Sequence, residues 1–271
     1  MAYFFVGGAP RSGGTLLTSI LCADESVNPL LREAHYLREQ VQLYKRCKTY
    51  HKENEQLNYF TDEEDLRRFT QRWVLALLEK IRARYAPAEH LVLKSFPLTF
   101  ELPELHELLP EARFLVTLRD PRDGIASQVV VGEKQARTGK NVRFPRDMQK
   151  LVWEYQALYT SCVTSQNAAF KSRLLYVKYE DLVGDPTKEL ARIRAFTGLP
   201  LAGFDPTKGW QSSQRDFQGV VEASDPYTSP LYGQGMSQQR VCRYKEVLTP
   251  GEIQTIEQLA VQYFHHFGYT I

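Results

Sequence analysis

The chain has 271 residues, 43% hydrophobic and 24% charged, with a net charge of +2, which is ordinary for a soluble globular protein. That length suits one large α/β domain or two small ones. The charge gives no bulk field for nucleic acid or a membrane surface, so any basic site has to be local.

Read in chain order, "YFFVGG" (Tyr3–Gly8) predicts a buried strand, with a helix over about 13–22. Residues 33–50 and 62–85 predict two helices, the second started by a capping box at Thr61-x-x-Glu64. A second strand is expected over 90–95 and a short helix over 101–109, ended by Pro110. The run "ARFLVTLRD" (112–120) predicts a third strand, leading into a helix from Pro121 or Asp123. A long helix over 147–169, a fourth strand over 173–182 and a helix over 186–197 closed by Gly198 follow. Residues 203–240, rich in Ser, Gln, Gly and Pro, predict a long loop of the kind that either covers a site or is partly disordered. An amphipathic helix over 249–267, with Pro250 in its first turn, ends the chain.

This alternation over residues 1–271 implies one α/β domain with a central parallel sheet flanked by helices. No C-x-x-C pair occurs among Cys22, Cys47, Cys162 and Cys242, which argues against structural zinc and for free buried thiols in a reducing compartment. No run approaches the ~18–20 apolar residues of a membrane span, and 2–6 is too short for a signal peptide. A cytoplasmic protein is expected.

The loop Gly8-Ala9-Pro10-Arg11-Ser12-Gly13-Gly14-Thr15 fits the phosphate-binding pattern G-x-x-x-x-G-K-[ST] except that Gly14 replaces the lysine. Its backbone N–H groups and the helix dipole still favour an anion, and Arg11 restores a cation. The bound group should therefore be less charged than a triphosphate and independent of magnesium. A second anion signal is "VTLRDPRDGIASQ", with Arg119 at a strand end and Ser127 eight residues on. Taken alone, Arg119 is equally well explained by pairing with Asp120 or Asp123. Together the two sites suggest a ligand with two separate anionic ends.

These residues resemble the sulfotransferases that use 3′-phosphoadenosine 5′-phosphosulfate, in the style of the bacterial and tyrosylprotein branch. The resemblance rests on "PRSGGT", on Arg119 with Ser127, and on "LVLKSFP", "VKYEDLVGDPTKELARIRAFTGLP" and "RVCRYKEVLTPGEI". It implies a P-loop-type fold, with Arg11, Ser12, Gly13, Gly14 and Thr15 on the 5′-phosphosulfate. It puts Arg119, Ser127 and a third candidate, Arg122, on the 3′-phosphate, and Tyr179 near the adenine. Arg240, Arg243 and Lys245 would lie on a segment that closes over the nucleotide. Lys94 would stabilise the leaving phosphate, and Ser224 and Ser229 are rival contacts to the sulfate.

Glu33 is expected as the base that takes the acceptor's proton, with His35 the rival; on one helix the two would lie about 200° apart. The expected reaction is metal-independent sulfuryl transfer to an acceptor hydroxyl on a sugar, a phenol, a tyrosine or a polyketide. A homodimer is left open. Two other readings stand beside it: a nucleotide kinase with a degenerate loop, and a non-catalytic nucleotide-binding module.

Overall fold

The computed structural model of the chain describes residues 1–54, 59–208, 226–229, 231 and 234–271. Four strands, β1 (Tyr3–Gly8), β2 (Leu91–Lys94), β3 (Arg113–Leu118) and β4 (Leu174–Lys178), form an all-parallel sheet in the order β2-β1-β3-β4. Both faces are covered, so the strands read as nearly continuous apolar runs. Phe5, Leu93, Phe114 and Val116 point into one layer of core, and Phe4, Val6, Val92 and Leu115 into the other.

Described helices in the first half are α1 (Gly14–Cys22), α2 (His35–Asn54), α3 (Glu63–Arg84), α4 (Leu102–Leu108) and α5 (Pro121–Arg137). The second half adds α6 (Met148–Thr164), α7 (Ala168–Ser172), α8 (Tyr179–Gly184) and α9 (Pro186–Thr197), then α10 (Tyr244–Val247), α11 (Pro250–Leu259) and α12 (Val261–Phe267). The first layer is filled by α2 to α6 and α12, the second by α1, α8 and α9. β1 and β3 are neighbours whose chains leave in opposite directions, β1 towards β2 and β3 towards β4. Such a switch point opens a crevice at the carboxyl ends of the strands. The register pairs Gly8 with Thr117, so the Gly8–Thr15 loop and Arg119 meet there.

Several boundaries differ from the sequence expectation. The cap of α3 is Asp62, whose side chain accepts from Asp65 N at 2.7 Å, not Thr61. The helix expected over 147–169 breaks after Thr164, where Ser165 turns out and Asn167 caps α7. β4 stops at Lys178, because the polar run Tyr179-Glu180-Asp181 begins a helix rather than extending the strand. The last helix is interrupted at Ala260. All four cysteines are free, but only Cys22 and Cys162 are buried; Cys47 is half-buried and Cys242 exposed.

The turn after β1 is held from behind by side chains far along the chain. Thr99 Oγ1 accepts from Gly8 N at 2.8 Å, and the Tyr159 hydroxyl accepts from Ala9 N at 2.9 Å while donating to Thr117 O at 3.0 Å. Tyr159 is fully buried, so its hydroxyl joins the β1 turn to β3 without competition from water. Tyr159→Phe keeps the ring and leaves two backbone groups unpaired. It should lower unfolding free energy by about 1–3 kcal/mol in urea denaturation. An unchanged transition would show that this tie carries no stability.

Candidate active site

Gly13 caps α1 with φ 98°, a left-handed conformation that glycine adopts without strain, and a Cβ there would lie 2.7 Å from the Tyr179 ring. The N–H groups of the first turn of α1 have no carbonyl partners within the helix and face the loop. Ser12 is buried beneath them. Its hydroxyl lies 2.6 Å from both Ala9 O and Thr117 Oγ1, so it braces the loop rather than facing a ligand.

Gly14 explains the missing lysine. A Cβ at this position would lie 2.6 Å from Cε1 of Phe96, so any side chain there would require the Phe96 ring to move. The cation arrives instead from the end of β2: Lys94 Nζ lies 3.2 Å from Thr15 Oγ1 and 4.9 Å from the centre of the Phe96 ring. Arg11, expected to restore that charge, turns elsewhere, its Nε donating to Ser127 Oγ at 3.1 Å and its Nη1 to Tyr227 O at 2.6 Å. The residues assigned by resemblance to opposite ends of the nucleotide therefore touch.

Lys94 is also 3.5 Å from Glu33 Oε1. Its side chain is only 11% exposed, and burial pulls its pKa below the ordinary lysine range; Glu33 opposes that shift and Arg11 adds to it. Glu33 is not on α2 but in the extended approach to it. There Ala34 N donates to Lys94 O at 2.9 Å and Phe96 N donates to Glu33 Oε2 at 3.1 Å. The 200° separation expected from a shared helix therefore does not apply, and Glu33 and the exposed His35 line the same cavity.

At the other end, Arg119 is buried, with its guanidinium 4.5 Å from the centre of the Tyr179 ring. It pairs with neither Asp120 nor Asp123. Its Nη1 donates to Arg11 O at 3.0 Å and its Nη2 to Arg240 O at 2.5 Å, while its buried Nε has no hydrogen-bond partner among the described residues. Arg122 turns away from the cavity into ion pairs of 2.7 Å with both Asp120 and Glu257, a bond to Thr270 O, and contact with the Tyr244 and Phe264 rings. It is not among the residues that line the cavity, so the structure does not bring it to the site as a third 3′-phosphate contact.

These groups surround a cavity of about 820 Å³, within the range of small-molecule sites. Among the described residues, eight Lys and Arg side chains line it against two carboxylates, Glu33 and Asp123, in a chain whose net charge is +2. Arg240, Arg243, Tyr179, Ser127 and Ser229 are among the lining residues; Lys245 is exposed and is not. Ser224 lies outside the described residues. Sequence reasoning missed Phe96, which occupies the lysine's space, and Thr117, which braces the loop. A threonine inside an otherwise apolar strand is a signal for the second; nothing local marks the first. Among the described residues, no three His, Cys, Asp or Glu side chains cluster as metal ligands, and no helix is long and apolar enough to cross a membrane.

The sequence profile of the sulfotransferase family matches residues 4–203. A protein-tyrosine sulfotransferase of Drosophila melanogaster is 29% identical over 204 residues, 74% of this chain and 38% of that protein. The aligned chain spans 38% to 54% of the first such relatives, so they are much longer proteins. Among solved structures, the sulfotransferase domain from the curacin biosynthetic pathway superposes with a TM-score of 0.60 at 17% identity, over 100% of this chain and 98% of that one. A mouse sulfotransferase complexed with PAP gives 0.53 at 12% identity, over 97% and 85%. At these identities the structural likeness is one of fold.

Arg122→Ala would leave Asp120 and Glu257 without their partner in a largely buried place. The expected loss is roughly 3 kcal/mol of unfolding free energy, read by denaturant titration. A loss under about 1 kcal/mol would mean that Arg122 does not hold this corner together.

Proposed function

The chain belongs to the sulfotransferase family, and we propose that it moves a sulfuryl group from 3′-phosphoadenosine 5′-phosphosulfate to the hydroxyl of an acceptor. The observation that carries this is the contact of Glu33 and Lys94 at the rim of the phosphate loop, inside a cavity lined by eight cationic side chains. A base and a buried cation side by side are what sulfuryl transfer asks for. One takes the acceptor's proton, and the other offsets charge on the oxygen that leaves.

The residues fit such a donor. The glycines at 13 and 14 keep the loop backbone clear of side chains, and Arg119 Nε is a buried donor with no acceptor among the described residues. In this reading the loop and Lys94 hold the phosphosulfate end. Arg11, Arg119 and Ser127 hold the 3′-phosphate, and Arg240 and Arg243 close the site. When bound, the donor supplies a sulfuryl group already activated for transfer. Glu33 is held by Phe96 N through Oε2; its Oε1, 3.5 Å from Lys94 Nζ, takes the acceptor's proton, and Lys94 stays charged beside the bond that breaks. The proposal includes independence from metal, since the cations of the cavity already offset the ligand's charge. A kinase reading is disfavoured by Gly14, which leaves the loop without the lysine that phosphoryl transfer uses.

Calorimetry with 3′-phosphoadenosine 5′-phosphate in chelating buffer is the direct test; no binding at millimolar nucleotide would sink the proposal. Glu33→Gln should retain that binding and lose roughly 10²–10⁴-fold in turnover, while His35→Ala loses little. The reverse pattern would make His35 the base. Binding with no turnover on any hydroxyl acceptor would favour a nucleotide-binding module.

Lys94 also gives a pH test. Its pKa in the folded protein is depressed, so its charge is lost as pH rises, beginning below the ordinary lysine range. Turnover should therefore fall on the alkaline side. In Lys94→Arg, whose guanidinium stays charged, that alkaline fall should vanish even if the maximum rate is lower. A fall that persists in Lys94→Arg would assign it to another group.

A further inference from the structure

We infer that Asp123 is a positioning residue that seats the 240–244 segment, and with it Arg240 and Arg243, over the nucleotide end of the cavity. The inference rests on the proposal that this cavity holds a nucleotide.

An anion site has no use for a carboxylate as a ligand, yet two of the described lining residues are carboxylates. Glu33 is accounted for by Lys94. Asp123, in the first turn of α5, is 3% exposed, and both of its oxygens are engaged by backbone. Oδ2 accepts from Cys242 N at 2.7 Å and Oδ1 from Tyr244 N at 2.8 Å. Two donors two residues apart converge on one carboxylate because the chain turns at the first of them, Cys242, whose φ of 61° is left-handed. The arrangement needs two acceptor oxygens. An asparagine has only one, and its NH₂ would face an N–H.

The neighbouring residues of the same motif act on the same segment. Arg119 donates to Arg240 O, and the Arg122 guanidinium lies 4.8 Å from the centre of the Tyr244 ring. Side chains at 119, 122 and 123 thus form one seat for a segment more than 115 residues away in sequence. Other backbone bonds of the segment are local turns, such as Val241 N to Gln238 O and Glu246 N to Arg243 O, which shape it without docking it on α5. Asp123 therefore sets where the cationic side chains of 240 and 243 sit, without touching the ligand itself.

The test is a cycle read by calorimetry with 3′-phosphoadenosine 5′-phosphate on wild type, Asp123→Asn, Arg240→Ala/Arg243→Ala, and the triple variant. Asp123→Asn should keep its circular dichroism and weaken binding by about tenfold or more. The double variant should lose a similar factor, and the triple should be no weaker than the double within about twofold. Hydrogen exchange should show the amides of Cys242 and Tyr244 losing protection in Asp123→Asn while the 8–15 loop keeps its own. Cys242→Ala, which retains the backbone donor, should bind within about twofold of wild type. Should Asp123→Asn not fold, Asp123→Ser, with one acceptor on a shorter arm, is read the same way. Wild-type affinity in Asp123→Asn, or full multiplicative loss in the triple, would overturn the inference. A wild-type protein that binds no nucleotide would instead overturn the functional proposal, and the exchange pattern would still decide whether Asp123 seats the segment.

Discussion

The cavity depends on a small hydrogen-bonded knot where β1 meets β3. A phosphate loop is useful only if its N–H groups converge, and convergence is costly because the chain must leave β1 through a left-handed turn at Arg11 and again at Gly13. Here the cost is met from below: Thr99, Tyr159 and the Ser12–Thr117 pair fix the backbone of Gly8, Ala9 and Ser12. These partners come from three other parts of the chain, so the loop is rigid only when the whole first layer of core is packed. Tyr155, Tyr159, Tyr263 and Phe267 lie within 4.7–5.9 Å of one another across neighbouring ring pairs in that layer, and the Tyr155 and Tyr263 hydroxyls both reach Arg119 O. The loop and the strand-end arginine are thus buttressed by one aromatic cluster.

The electrostatics follow from the same geometry. Gathering eight cations around one cavity in a nearly neutral chain is unfavourable until an anion arrives, and the local compensation is visible. Lys94 leans on Glu33 and on the Phe96 ring, and Arg119 on the Tyr179 ring and two backbone carbonyls. Burial still depresses the Lys94 pKa, which means the protein alone does not fully satisfy that charge. Arg122 resembles its neighbours only in sequence; its two carboxylate partners make it part of the frame.

The family match ends at residue 203, yet the cavity does not. Arg240, Arg243 and Val247 come from the later part of the chain. The motif at 119–123 is the bridge, one end set in β3 and the other holding the late segment through Asp123. A stretch that reads as a ligand motif is at least as much a joint between two parts of the fold.

By itself the sequence determined the parallel α/β fold, because long apolar runs alternating with amphipathic helices have one economical packing. It also marked the Gly8–Thr15 and 119–127 stretches, which the fold brings to one cavity, and, through Gly14, that the loop carries no lysine at that position. Element ends were less legible. The start of α3 turns on which of two adjacent polar residues, Thr61 or Asp62, reaches a backbone N–H. Only the tertiary structure decided that Lys94 from β2 stands beside Thr15, that Arg11 reaches Ser127, and that Asp123 binds the backbone at 242 and 244. Each of these contacts joins residues 79 to 121 positions apart. Periodicity and capping describe a turn or two of chain, whereas a side chain's partner across such a span is fixed by how the layers pack.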